Sequence, residues 1–205
     1  MEAVVPSSRD AILAALRKHA PPAVEAPELG ALGVRFEDPL AQLGRAMTAV
    51  GGACVRVADL AAAAAAIGGL PQLVGAKQTV SLVPGLAGPG ARIELAQVED
   101  AHELASLDLA ILPGVLAVAE NAAVWVDGAV LHHRAVFVIT DHLVLVVQAR
   151  DVVHHMHEAY DRIAGRPRGY GLFISGPSKT ADIEQVLVVG AQGARTCTLI
   201  VIEAP

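Results

Sequence analysis

Short apolar runs recur along this sequence, and near residue 112 their spacing changes. Residues 54–57, 79–83 and 107–112 have the length and residue types of buried strands, and they stand far apart. Between the first two, Asp59 can cap an alanine-rich helix over residues 60–67 that ends at Gly68-Gly69. Strands alternating with helices at this spacing predict a mixed α/β fold with a largely parallel sheet. Beyond residue 112 the runs crowd together, at 115–119, 122–126, 135–139 and 143–147. Links this short suit hairpins, so an antiparallel portion is expected there.

Upstream, Ser8 can cap a helix reaching about Ala20, with Ile12, Leu13 and Leu16 on one face. Arg17, Lys18 and His19 suit its carboxyl end, and Pro21-Pro22 stops it. Residues 21–37 are Pro-rich and aperiodic, as in a connecting arm. Asp38-Pro39 then supplies an N-cap and a first-turn proline for a second helix, closed by Gly51-Gly52. The expected division is an N-terminal helix and arm over 1–37 and an α/β domain over 38–205.

The 205 residues suffice for one substantial core, and 54% of them are hydrophobic. Alanine makes up about a fifth, above ordinary usage, so close backbone packing is expected. A net charge of −6 and only 3% aromatic residues offer neither a phosphate-binding face nor a stacking platform, so no nucleic-acid partner is expected. Cys54 and Cys197 are isolated and cannot make a four-thiolate zinc or iron–sulfur site. No signal peptide opens the sequence, and Thr140-Asp141-His142 interrupts its longest apolar region. A cytoplasmic protein with no membrane span is the expectation.

Residues 171–184 carry the densest chemistry. Leu172, Phe173 and Ile174 read as a strand, broken by Ser175-Gly176-Pro177, a turn signal. Ser178, Lys179, Thr180, Asp182 and Glu184 follow, with Asp182 as the N-cap of a short helix and Gln185 at its third position. Backbone N–H groups, hydroxyls and Lys179 would converge there on a small carboxylate or phosphate, with Asp182 or Glu184 as acid, base or orienter. The same residues also suit a plain turn followed by a cap. No P-loop is present, since Gly-x-x-x-x-Gly-Lys-Ser/Thr is absent.

Glu120-Asn121 lies between two apolar runs and reads either as a site carboxylate with its amide or as a hairpin turn. His132-His133-Arg134 fits an anion or subunit contact as well as a polar turn, and His142 stands beside Asp141. Over residues 151–163 a helix is predicted, with Val153, Met156, Tyr160 and Ile163 facing the core. His154, His157 and Glu158 would then share another face, better explained as solvated than as a metal site, and no metal is expected. Arg195 is either a second site cation or a surface charge.

The run Gly176-Pro177-Ser178-Lys179-Thr180-Ala181-Asp182-Ile183-Glu184-Gln185 closely resembles the signature of the LUD-domain family, in its lactate utilization protein C group. Residues 189–195 resemble that family's Gly-x-His-Gly-Pro-Arg segment, with Gln192 at the His position and Ala194 at the Pro position. Residues 118–125 are similar to its Ala-Glu-Asn-Gly-Ala-Val-Trp variant, with Ala122 in place of Gly, and 151–163 to its Met-His-Glu-Ala-Tyr helix. The resemblance covers residues 110–203 and implies a fold like the NagB/RpiA/CoA-transferase group. It further implies an accessory or carboxylate-binding subunit in the oxidation of L-lactate to pyruvate, beside partner subunits that carry the iron–sulfur clusters. No cofactor is expected on this chain. The alternative is a self-standing enzyme resembling CoA-transferases or formyltetrahydrofolate cyclo-ligase, with Glu120 as nucleophile or base. Substrate contacts are expected from Asn121, Gly176, Ser178, Lys179, Thr180 and Arg195. Glu120, Asp182 and Glu184 are expected to line one pocket.

Overall fold

Strands that run the same way cannot be joined by tight turns, so each needs a crossover, and this chain supplies them with helices and long loops. The computed structural model describes residues 7–25, 33–130, 132–165 and 169–204, in two compact units, Met1–Ala31 and Leu32–Pro205. The smaller unit holds α1 (Ser8–Lys18). Its cap is Ser7 rather than the expected Ser8: the Ser7 side chain accepts the Asp10 N–H, and no residue of α1 is buried.

In the larger unit α2 (Pro39–Ala49), β1 (Ala53–Val57) and α3 (Leu60–Gly68) come where expected, with Asp38 and Asp59 as the caps. Then follow β2 (Gln78–Ser81), β3 (Ala91–Arg92), β4 (Leu109–Pro113), β5 (Leu116–Val118) and β6 (Val124–Asp127). After these come α4 (Val136–Ile139), β7 (His142–Gln148), β8 (Val152–Val153) and α5 (Met156–Ala164). The last strands are β9 (Gly171–Ile174), β10 (Lys179–Thr180), β11 (Val188–Val189) and β12 (Thr196–Ile202).

Six strands form a wholly parallel sheet in the order β1-β12-β7-β4-β2-β3. Alternation along the central strands divides the core in two. Ala110, Leu112, Leu143, Leu145, Leu199 and Val201 face α2 and the smaller sheet, while Leu109, Ile111, Val144, Val146, Ile200 and Ile202 face α3. Burial on both faces explains why these strands read as unbroken apolar runs. The smaller sheet has the order β8-β5-β6-β9. The tight β5–β6 hairpin supplies the expected antiparallel portion, to which β9 adds on β6. The 143–147 run expected there is instead β7, a parallel strand at the centre of the large sheet, because the short link before it crosses between sheets instead of turning back. Ala117, Val124 and Val126 turn one face of it to the main core, and Leu116, Val118 and Ala123 turn the other to Ala159 of α5.

Two further sequence expectations are corrected here. Residues 135–139 form the short helix α4, with Val136 and Phe137 buried and Val138 and Ile139 exposed. An unbroken apolar run has no period to tell the two structures apart. The predicted 151–163 helix begins only at Met156, because residues 152–153 pair with β5 and His155 becomes the cap. Ala159 fills the buried face, and Tyr160 is exposed with its ring against Phe173. Among the described residues no helix is long and apolar enough to cross a membrane.

Candidate functional site

The Gly176 loop leaves the carboxyl end of β9 and crosses to the amino ends of β12 and β7. Its path is fixed by main-chain bonds. The Ser178 N–H donates to Ala194 O at 2.9 Å, and the Gly190 N–H to Ser178 O at 3.0 Å. Gly176 itself has φ +71, and a Cβ there would stand 2.8 Å from the Val50 carbonyl oxygen, so only glycine fits without strain. Its N–H points to the thiol of Cys197, which burial nevertheless pushes up to about 12. Cys54 is also raised by burial, against the pull of Arg56.

Below this loop lies a cavity of about 240 Å³. Phe137, Val138 and Leu143 give one side, and the β9 residues Leu172, Phe173 and Ile174 another. Ser175 to Ser178 and Gln192 to Ala194 form the polar rim. A Cβ at Gly193 would come within 3.1 Å of the Ser178 Cβ, so the two rim segments touch. No charged side chain is among the lining residues. The polar side chains facing it are the hydroxyls of Ser175 and Ser178 and the Gln192 amide, which makes it an apolar recess with neutral hydrogen-bonding groups. Two other recesses are charged. One of about 290 Å³ is bounded by Lys77, Asp108 and Asp141, and one of about 420 Å³ by Arg35, His154, Glu158 and Arg162. Neither is built from the 176–185 and 189–195 motifs.

Gly176 and Ser178 reach the cavity, and Asn121 is joined to it by its backbone, through the Ser175 hydroxyl that donates to Asn121 O at 2.6 Å. The Asn121 side chain closes its own turn by accepting the Ala123 N–H. Ala122 in this turn has φ +58, which accounts for a glycine in the motif it resembles. Other expected site residues are engaged elsewhere. The Lys179 ammonium donates to the Val50 carbonyl. Arg195 pairs with Asp141 at 3.4 Å. The Glu120 carboxylate accepts the Met156 N–H at 3.2 Å, at the amino end of α5, and does not line the cavity. A helix amino terminus attracts a carboxylate, which explains this placement.

Asp182 does not cap a helix. Residues 179–189 form a hairpin in which β10 and β11 pair antiparallel, turning through Glu184 and Gln185, both at positive φ, with the Val186 N–H bonded to Ile183 O. The valine-rich return strand outweighs the capping signal. The Thr180 hydroxyl accepts the Asp182 N–H, and Asp182 and Glu184 are exposed. The apolar half of the lining was missed, because Phe137, Leu143 and Leu172 look like any core residues. Gln192 was signalled only by standing at a histidine position.

Three of the histidines tie together segments that are distant in sequence. His154 Nδ1 accepts the Phe36 N–H, His133 Nε2 lies 2.7 Å from Val98 O, and His142 Nδ1 lies 2.9 Å from Thr196 Oγ1. Arg134 stacks over Tyr170. His154 precedes α5, so it shares no helical face with His157 and Glu158. Among the described residues no three His, Cys, Asp or Glu are grouped to hold a metal ion.

The family model for the LUD domain matches residues 77–202. Lactate utilization protein C of Deinococcus radiodurans is 28% identical over 179 residues, covering 82% of this chain and 78% of its own. The crystal structure of a DUF162-family protein from the same organism superposes with a TM-score of 0.58 at 20% identity, over 80% of this chain and 96% of that one. The matched region contains every strand of the large sheet but β1, together with the cavity and both of its rim segments: the chain belongs to the LUD-domain family.

Proposed function

We propose that this chain serves in lactate utilization, as an accessory subunit that holds a small carboxylate while partner subunits with iron–sulfur clusters oxidise L-lactate to pyruvate. The observation that carries the reading is the 28% identity to a lactate utilization protein C over most of both chains. The division of labour is the one the family resemblance implies, and the cysteine chemistry of this chain fits it. A cluster needs about four thiolates, and Cys54 and Cys197 are the two cysteines of the sequence.

In this reading the cavity takes the ligand, with its methyl against Leu143 and Leu172 and its carboxylate on Ser178 and Gln192. Lys179 and Arg195 each follow a lining residue directly and place positive charge behind the rim. The reading as a self-standing enzyme needs the Glu120 carboxylate at the ligand, whereas that residue is not among those lining the cavity and its carboxylate turns to the amino end of α5.

Deleting the gene tests the role: growth on L-lactate should stop and growth on glucose continue. Calorimetry with L-lactate and pyruvate tests the site, and Gly193→Phe, which fills the cavity from its rim, should abolish the heat of binding. Unimpaired growth on L-lactate would remove the first claim. Unchanged binding in a folded Gly193→Phe protein would remove the second.

A further inference from the structure

The β10–β11 hairpin stands out because, among the described residues, no other strand pairs with it and its far end is exposed. Its two strands pair only with each other among the described residues, so the outer edge of β11 leaves main-chain groups unpaired. Ile183, Val186, Leu187 and Val189 are each between 49% and 65% exposed. A two-stranded hairpin without cover is marginal in water. Its charge is also polarised along its length. The tip carries Asp182 and Glu184, and the base carries Lys179, Arg195 and Asp141, one positive charge net.

We propose that a second copy of this chain covers the hairpin, with β11 pairing antiparallel to β11 of the other copy about a two-fold axis. Antiparallel pairing lays each tip beside the other's base, so the acidic tip meets the positive base twice in one interface. With the axis at Val188, that residue faces its own counterpart and Leu187 packs on Val189 of the other copy, which covers part of the exposed patch. A parallel arrangement would set tip against tip and lose the charge match. The base of the hairpin is also where Ser178, Gln192 and Gly193 rim the cavity. Each copy thus brings its hairpin tip beside the mouth of the other's cavity, where Asp182 and Glu184 pair with Lys179 rather than face the ligand. This last step rests on the cavity as the ligand site; the pairing itself does not.

Light scattering on the eluting full-length chain tests the pairing. The wild type should run at twice the chain mass. The double variant Val186→Asp with Leu187→Asp should run at the single mass with an unaltered circular-dichroism spectrum, since both side chains are exposed. A wild type of single mass at high concentration overturns the proposal, and so does a double variant that stays at twice the mass. Geometry is checked by Val188→Cys under mild oxidation, because the position on the two-fold axis of an antiparallel pair faces its own counterpart within disulfide reach. A cross-linked band, absent from the wild type, supports the arrangement, and its absence overturns it. If the chain dimerises in this way but L-lactate gives no heat on either form, the ligand reading fails and the pairing stands.

Discussion

The Ser175 hydroxyl, just beyond β9, donates a 2.6 Å hydrogen bond to the main-chain carbonyl of Asn121, in the turn of the β5–β6 hairpin of the same smaller sheet. The turn that holds Asn121 also sends the Glu120 N–H to His154 O and receives the Met156 N–H on the Glu120 carboxylate. One short turn therefore ties the amino end of α5 to the rim of the cavity.

Ser175→Ala should cost about 1 kcal/mol, the usual worth of one hydrogen bond. Amide exchange should quicken at Gly176 and Ser178 and stay unaltered in β12. Urea denaturation and hydrogen exchange measure both, and a variant with wild-type exchange in the loop would show the contact to be incidental.

Gly176→Ala should be far more damaging, by about 2–4 kcal/mol, because an L-residue resists the left-handed backbone and its Cβ meets main-chain oxygen. Gly44 makes the contrast. It lies inside α2, and a Cβ there would meet nothing within 4 Å. Gly44→Ala should therefore stabilise the protein by about 0.5–1 kcal/mol. Opposite signs of the two changes in one urea series are the expected result.

Cys197 predicts a weakness at high pH. Burial raises its thiol from an ordinary 9.0 to about 12, so the folded chain keeps a proton that the unfolded chain releases. The stabilisation is whole below pH 9 and is lost as pH rises toward 12, by about 1.4 kcal/mol per unit in that window. Cys197→Ala should lower stability near neutrality and flatten this alkaline slope. Equal slopes in the two proteins would place the titration elsewhere.

Glu158 predicts the opposite dependence at low pH. Partial burial pushes its carboxyl up, but the His154 N–H, Arg35 and the two neighbouring imidazoles outweigh it and hold it below its ordinary value. Its stabilisation is therefore present above the unfolded value and lost as pH falls through the folded one. Glu158→Gln should cost about 1–2 kcal/mol near neutral pH, through the weakened bond to the His154 N–H. Arg35→Ala should cost less than about 1 kcal/mol, because that ion pair is largely exposed on the arginine side. Both penalties should shrink in acid, as read by urea midpoints across pH.

The parallel strands before residue 113 were legible because burial on both faces writes itself as apolar runs, as at Leu109 to Leu112. Leu143 to Val147 reads by its spacing as part of the antiparallel portion, because short spacing does not reveal which sheet a strand joins. The caps at Asp38 and Asp59 were legible because capping is a local bond. Asp182 carried the same local signal and formed a hairpin instead, since pairing with Val188 and Val189 is not written at residue 182. The rim of the cavity was legible as a motif, whereas its apolar walls were not, because Phe137 and Leu172 differ from core residues only in what lies beside them. Glu120 shows the same limit. Its sequence neighbours announce a turn, and its partner at Met156 comes from a distant helix.

The place of β12 between β1 and β7 has a bearing on synthesis. β1 is made early, yet its only partner strand among the described residues is β12, in a register that joins Ala53 to Thr198. A ribosome therefore extrudes β1 long before anything can pair with it. β7 likewise waits with one side open until residues 196–202 appear. From β1 until β12 the nascent chain carries one unpaired strand, and after β7 is made it carries a second open edge, the condition in which chaperones bind and aggregates start. Loss of the last strand would divide the large sheet, leaving β1 stranded from β7, so nonsense mutations just before Thr196 should yield insoluble chains rather than a trimmed but working protein.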